Sequence, residues 1–162
     1  MTDQIVSYSP IGIIHTPHKT REGTPIQPGG AQGIIGTVEV YSEYLEGLLD
    51  LDGFSHIILL YHFNRSVGFS LCVTPFMDDV PHGVFATRAP KRPNAIGISV
   101  VKLLKIAGAL LSVSGVDMLD GTPLLDIKPF VKEFDHVLRS RCGWLEKNKQ
   151  QSRTKKADNR FL

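Results

Sequence analysis

Hydrophobic and polar residues alternate in short runs along most of the chain, and the runs are separated by glycine and proline. In residues 33–41, Ile34, Val38 and Val40 fall on one face and Thr37 and Glu39 on the other, the period of a half-buried strand. Residues 56–63 form a nearly continuous apolar stretch, which predicts a strand covered on both faces. Further strands are predicted over 5–15, 69–74, 83–87, 96–106, 110–116 and 124–130. Helical signals are few. Ser42 is placed to cap a short helix with Leu45, Leu48 and Leu49 on one side, and residues 135–150 have the composition of a C-terminal helix. Many short strands without strand–helix alternation predict a mainly β protein, a small antiparallel barrel or sandwich. Residues 16–30, with three prolines, three glycines and no apolar period, predict a long loop, and long loops on small domains often carry function.

The chain has 162 residues, enough for one domain with its own core. Its longest apolar run, 57–61, is far shorter than the ~20 residues of a membrane span. The N-terminus lacks a basic segment followed by a long apolar stretch, so no secretory signal is expected and the cytoplasm is the expected compartment. Cys72 and Cys142 form neither a disulfide framework nor a zinc pattern, and the six histidines show no metal-ligand spacing, so no metal is expected. The formal charge of +2 conceals an asymmetry: residues 144–162 carry a net charge of +4, which leaves the body at −2. Residues 1–145 are therefore expected to form the domain and 146–162 a basic, solvated tail, with contact to nucleic-acid phosphates as its functional alternative.

Three stretches have compositions that packing alone does not require. In residues 86–97, Arg88, Lys91, Arg92 and Asn94 lie around Pro90 and Pro93, a stiff loop able to aim guanidinium groups at a carboxylate or phosphate. In residues 117–130, Asp117, Asp120, Asp126 and Lys128 surround apolar segments. Asp120-Gly121 is a hairpin-turn signal, and Asp126 and Lys128 share a strand face as a possible structural pair. In residues 54–64, His56 reads as a satisfied strand residue, whereas His62 and Asn64 fall at the strand end, where sites open. The chain lacks dinucleotide, Walker, nucleophile-elbow and zinc-deaminase motifs, which excludes those chemistries.

These stretches belong to a longer series. Pro10-Ile11-Gly12-Ile13-Ile14-His15-Thr16-Pro17, Pro25-Ile26-Gln27, Phe54-Ser55-His56 and Gly83-Val84-Phe85-Ala86-Thr87-Arg88-Ala89-Pro90 are followed by Arg92-Pro93-Asn94-Ala95-Ile96-Gly97 and Asp120-Gly121-Thr122-Pro123-Leu124-Leu125-Asp126-Ile127-Lys128-Pro129. Together they resemble the TsaA-like, or TrmO, family over about residues 7–135. The resemblance implies a compact antiparallel β-barrel, a homodimer, S-adenosylmethionine as cofactor, and methylation of N6 of threonylcarbamoyl-adenosine beside the anticodon of tRNA. Carried onto this chain, it implies a cofactor site at Pro25, Ile26, Gln27, His62, Phe63, Arg88, Ile98, Asp117, Met118, Leu119 and Asp120. Arg88 is the candidate for the cofactor's carboxylate, and Asp117 or Asp120 for its amine or sulfonium region. Asp120 or His62 is the candidate proton acceptor, and Arg92, Asn94 and Lys128 are the candidates for contact with tRNA, with shaping of the loop as the alternative for Arg92 and Asn94. Larger bacterial members carry a further C-terminal domain, whereas this chain, ending soon after Gly143-Trp144-Leu145-Glu146, resembles the shorter members. A methyltransferase on another acceptor and a noncatalytic cofactor- or RNA-binding barrel remain alternatives.

Overall fold

The computed structural model describes residues 4–26, 28–147 and 154–161. Six strands close into an antiparallel barrel in the order β1-β2-β7-β6-β3-β8, with β8 returning to β1. They are β1 (Gly12–His15), β2 (Ile35–Val40), β3 (His56–His62), β6 (Ile96–Ala107), β7 (Leu110–Ser114) and β8 (Thr122–Pro129). Two short strands, β4 (Cys72–Val73) and β5 (His82–Gly83), pair separately outside it. The predicted mainly β barrel is thus the observed architecture.

Alternation builds the core. Ile14 on β1, Val38 and Val40 on β2, Ile57 and Leu59 on β3, Val101 on β6, Leu111 and Val113 on β7 and Leu124 on β8 point inward and are essentially inaccessible. β3, predicted to be covered on both faces, alternates instead: Ile57, Leu59 and Tyr61 are buried, while Ile58 and Leu60 are only half-buried on the outside. An irregularity in the β6–β7 pairing between Leu103 and Lys105 moves the inward position from Leu103 to Ile106, which packs against the core.

Three local expectations are corrected. Asp120-Gly121 is not a hairpin turn: β7 pairs with β2 and β6, β8 with β1 and β3, and the turn instead delivers the chain to β1, Gly121 N–H bonding Ile14 O at 2.9 Å. The residue pair encoded the left-handed backbone, φ +76° at Gly121, and not the partner strand. Ser42–Leu48 is a 3₁₀ helix whose cap position is Tyr41 and which buries no residue; of its leucines only Leu48 packs on the core. The C-terminal helix is broken. A four-residue helix α1 (Lys132–Asp135) ends early, and Gly143, at φ +54°, starts a separate 3₁₀ turn, Gly143–Lys147. Residues 148–150 lie outside the described residues.

Candidate functional site

One end of the barrel opens into a cavity of about 610 Å³, within the size range of small-molecule and cofactor sites. Its base is formed by Tyr61 near the end of β3, by Ile96, Gly97 and Ile98 at the start of β6, and by Asp117, Met118 and Leu119 in the connection to β8. Its walls come from loops: Arg21, Pro25 and Ile26; Phe63 and Arg65; Phe76 and Met77; and the stretch around Arg88.

The base holds a buried polar chain. Tyr61 continues the inward series of Ile57 and Leu59, so its hydroxyl arrives inside the barrel end and needs a partner. Ser99, also inward on β6, lies 3.0 Å from it and donates to Asp117 Oδ1 at 2.6 Å, so Tyr61 O–H donates to Ser99 in turn. Burial raises the Asp117 carboxyl to about 6, although the Ser99 hydrogen bond and the positive charge of Arg88 both oppose the rise. Burial, then the Asp117 charge, pushes the Tyr61 hydroxyl upward as well. Gly97 makes room for this arrangement, because a Cβ there would lie 2.2 Å from Tyr61 Cε2.

The proline-framed loop is held by its own arginine. Arg92 Nη1 donates to Val84 O at 3.0 Å, Thr87 O at 2.8 Å and, more weakly, Ala89 O at 3.4 Å, and its guanidinium lies 5.9 Å from the Phe85 ring centre. Arg92 therefore shapes the loop, and Arg88, carried on that loop, lines the cavity. Trp144, also part of the cavity lining, braces the loop, bonding Ala86 O at 2.9 Å and stacking on His82 at 4.5 Å. His82 bonds Asp78 at 2.9 Å, and this bond, chiefly, holds the Asp78 carboxyl below the usual range.

Of the residues singled out in the sequence, Pro25, Ile26, Phe63, Arg88, Arg92, Ile98, Asp117, Met118 and Leu119 line this one cavity. Gln27 lies outside the described residues. His62 is exposed and outside the lining, but its cross-strand partner is Ile96; directly paired residues point to the same side of a sheet, which puts His62 at the cavity rim. Asp120 faces elsewhere. Its carboxylate accepts from Lys19 Nζ at 2.6 Å and from Thr16 N–H at 2.9 Å, and these bonds hold it below the usual carboxylate range. Asn94 is exposed, and Lys128 pairs with Asp126 at 2.8 Å, in register with Ile58, three residues back along β3 from Tyr61.

Sequence reasoning missed Tyr61, Ser99, Arg21 and Arg65. Ser99 had a legible signal: it is the hydroxyl among the apolar inward positions of β6. Arg21 and Arg65 had none, since their roles depend on loops meeting in space: Arg21 Nη2 donates to Arg65 O at 2.6 Å, and Arg65 donates to Lys19 O at 3.0 Å and Asp120 O at 3.2 Å. Desolvation and the neighbouring Arg65 charge lower the Arg21 guanidinium from its ordinary value. Among the described residues no group of three or more His, Cys, Asp or Glu side chains is placed to hold a metal ion.

Comparison with known proteins agrees with this geometry. The profile of the tRNA-methyltransferase O N-terminal domain matches residues 13–136. A probable S-adenosyl-L-methionine-binding protein of Pyrococcus abyssi is 55% identical over 158 residues, 98% of this chain and 86% of that protein. The tRNA (adenine(37)-N6)-methyltransferase of Mus musculus is 37% identical over 133 residues, 78% of this chain and 31% of that enzyme. The crystal structure of TrmO from Pseudomonas aeruginosa superposes with a TM-score of 0.74 at 39% identity, covering 87% of this chain. This chain spans 63% of that TrmO chain, so it matches only part of the larger relatives. With the barrel, the cavity and the matched residues in agreement, the chain belongs to the family of the tRNA-methyltransferase O N-terminal domain.

Proposed function

We propose that the protein is an S-adenosylmethionine-dependent methyltransferase acting on N6 of an adenine in tRNA, the modified base being threonylcarbamoyl-adenosine beside the anticodon. The observation that carries this reading is the presence of Arg88 and Asp117 in a single cavity otherwise walled by Pro25, Ile26, Phe63, Ile98 and Met118. The donor set fits the cofactor: apolar walls for a purine, a guanidinium for a carboxylate, and a carboxylate for an ammonium or sulfonium. Relatives named for S-adenosylmethionine binding and for tRNA adenine N6 methylation support the same assignment.

When bound, the cofactor supplies a methyl group on a positively charged sulfur, already activated for displacement at carbon. The chain's contribution is position and charge. Arg88 holds the carboxylate end, and Arg92 fixes the loop that presents Arg88. Asp117, oriented by Ser99, holds the positive end. An N6 bonded to a carbonyl is a poor nucleophile and has to lose its proton, and His62 at the rim is the group we assign to accept it. Asp120, tied to Lys19 and Thr16, serves the loop instead. Outward-facing Val100 and Leu104, 37% and 46% accessible, leave an apolar patch on β6 beyond the cavity lining, and we assign the homodimer contact to it. A tRNA acceptor supports our reading of a cytoplasmic protein; no helix among the described residues is long and apolar enough to cross a membrane.

Calorimetric titration with S-adenosylmethionine, beside Arg88→Ala, tests the cofactor; incubation with unfractionated tRNA and methyl-labelled cofactor tests the acceptor. Binding lost in the variant and label recovered in adenosine are the expected results. Binding without transfer to any tRNA would turn the assignment to a noncatalytic cofactor-binding barrel, and absence of binding would overturn it. Sedimentation at the monomer mass would remove the dimer.

A further inference from the structure

Residues 154–161 lie outside the segment matched by the family profile, and the sequence places them in a basic, solvated tail. In the structure they lie against the body and contribute Ala157, Asp158 and Phe161 to the cavity lining. Three sets of contacts fasten them. Pro25 and Lys156 form an antiparallel bridge, extended by Ala157 N–H to Thr24 O at 2.8 Å and Gly23 N–H to Ala157 O at 3.0 Å. Phe161, 5% accessible, completes a small apolar cluster with Val73, Val84 and Ala89, and meets Phe76 edge to face at 5.0 Å. Arg160 Nη1 donates to Pro75 O at 2.7 Å and Asp78 O at 3.0 Å, while its Nε pairs with Asp158 at 3.0 Å.

Each fastening point is also a wall of the cavity. The bridge holds Thr24 and Pro25, the cluster holds Phe76 and Ala89, and the Phe161 carbonyl accepts a hydrogen bond from Arg21. Three loops are thereby joined by a single segment. The β4–β5 pairing, the His82–Asp78 bond and Trp144 already tie the Phe76 and Arg88 loops to each other, and the strap adds a direct tie from both to Thr24 and Pro25. Arg160, a basic residue of the segment with phosphate contact as its functional alternative, has its guanidinium directed at two carbonyls and at the carboxylates of Asp158 and Asp79.

We infer that residues 156–161 form a strap that assembles the cofactor cavity, with Phe161 and Arg160 as positioning residues acting through Pro25, Phe76 and Arg21. The inference rests on the cofactor assignment made above and goes beyond it, because it assigns cofactor retention to a segment outside the family's domain. A strap of this kind sets how long the cofactor stays, so its loss is read in dissociation rate and KM.

The test compares wild type, Phe161→Ala, Arg160→Ala and Phe161→Leu as full-length proteins, by calorimetry and stopped-flow measurement of S-adenosylmethionine dissociation. The expected result is at least tenfold faster dissociation and weaker binding for Phe161→Ala, a smaller loss for Arg160→Ala, and recovery of most of the affinity in Phe161→Leu. KM for the cofactor rises while kcat is retained, and the salt dependence of tRNA binding does not change. If wild type binds and Phe161→Ala and Arg160→Ala bind equally well, the strap is overturned while the cofactor assignment stands. If both variants keep cofactor affinity but lose tRNA affinity with a shallower salt slope, the segment is an RNA-binding tail and the inference fails. If wild type does not bind, the cofactor assignment fails and takes the strap's role with it.

Discussion

Ser99 Oγ donates to Asp117 Oδ1 across 2.6 Å, from an inward position of β6 whose neighbours on that face are Gly97 and Val101. The bond fixes a carboxylate at the base of an otherwise apolar cavity, and Tyr61, donating to Ser99, leaves the serine no other direction for its proton. A short polar chain thus converts barrel geometry into a fixed negative charge.

That charge titrates within reach of experiment. Burial raises Asp117 to about 6, so the folded protein binds this proton more tightly than the unfolded chain. The associated stability is fully present below the unfolded value near 4 and is lost as pH rises through about 6, amounting to about 3 kcal/mol. Asp117→Asn should remove this slope in urea denaturation measured from pH 4.5 to 8. Cofactor affinity should show the opposite sign, falling as pH drops below about 6, because the positive end of the ligand requires the ionised carboxylate. A flat affinity profile in wild type would remove Asp117 from that role.

His62 and Asp120 separate as proton acceptors by their surroundings. Asp120 is held ionised by Lys19 and Thr16 and is a weak base, whereas His62 stands at the rim beside Ile96. His62→Ala should lower kcat by roughly 10²-fold or more with cofactor affinity unchanged, the scale of a lost general base. Asp120→Asn should keep kcat within a few-fold. Steady-state kinetics with tRNA as the varied substrate decides, and the reverse ranking would return the role to Asp120.

Gly97 is required by an atom and not by a backbone angle. A methyl group there would meet Tyr61 Cε2 at 2.2 Å and Cζ at 2.5 Å, both in a buried ring at the cavity base that packs against Phe63. Overpacking of this kind costs about 1–3 kcal/mol. Gly97→Ala should therefore lower the melting temperature, change the near-ultraviolet tyrosine signal, and weaken cofactor binding by displacing the hydroxyl that orients Ser99.

The barrel was legible because its code is local. Alternation placed β2, β6, β7 and β8 within a few residues of their observed bounds, and the rigid loop of Arg88 and the Asp117 turn were visible from composition that packing does not demand. What failed required knowledge of partners. Asp120-Gly121 specifies a left-handed turn equally well whether the next strand returns to β7 or, as here, proceeds to β1. Arg160 and Phe161 read as parts of a solvated tail because their destinations, Pro75 O and the Val73–Val84–Ala89 cluster, are some 70 to 90 residues away. The sequence leaves Arg92 open between tRNA and its own loop for the same reason: the carbonyls it satisfies belong to that loop, and a charge count does not register carbonyls.

Arg92 offers the sharpest contrast between a contact with RNA and support of the loop. If its guanidinium met a phosphate, Arg92→Lys would keep most of the charge effect, and Arg92→Ala would reduce the slope of log affinity against log salt by about 0.7–0.9. The structure instead directs Nη1 at Val84 O and Thr87 O, and at Ala89 O more distantly, with the planar guanidinium over Phe85, and the lysine ammonium, one bond shorter and not planar, does not reproduce that reach or that face. Lysine and alanine should then behave alike. Both should accelerate amide exchange over residues 84–92, cost about 1–3 kcal/mol for the carbonyls left without a donor, and raise KM for the cofactor through a less constrained Arg88. Neither should change the salt slope for tRNA. A variant in which lysine preserves function and alanine flattens the slope would move Arg92 from the loop to the RNA, and with it the reason for framing this turn between two prolines.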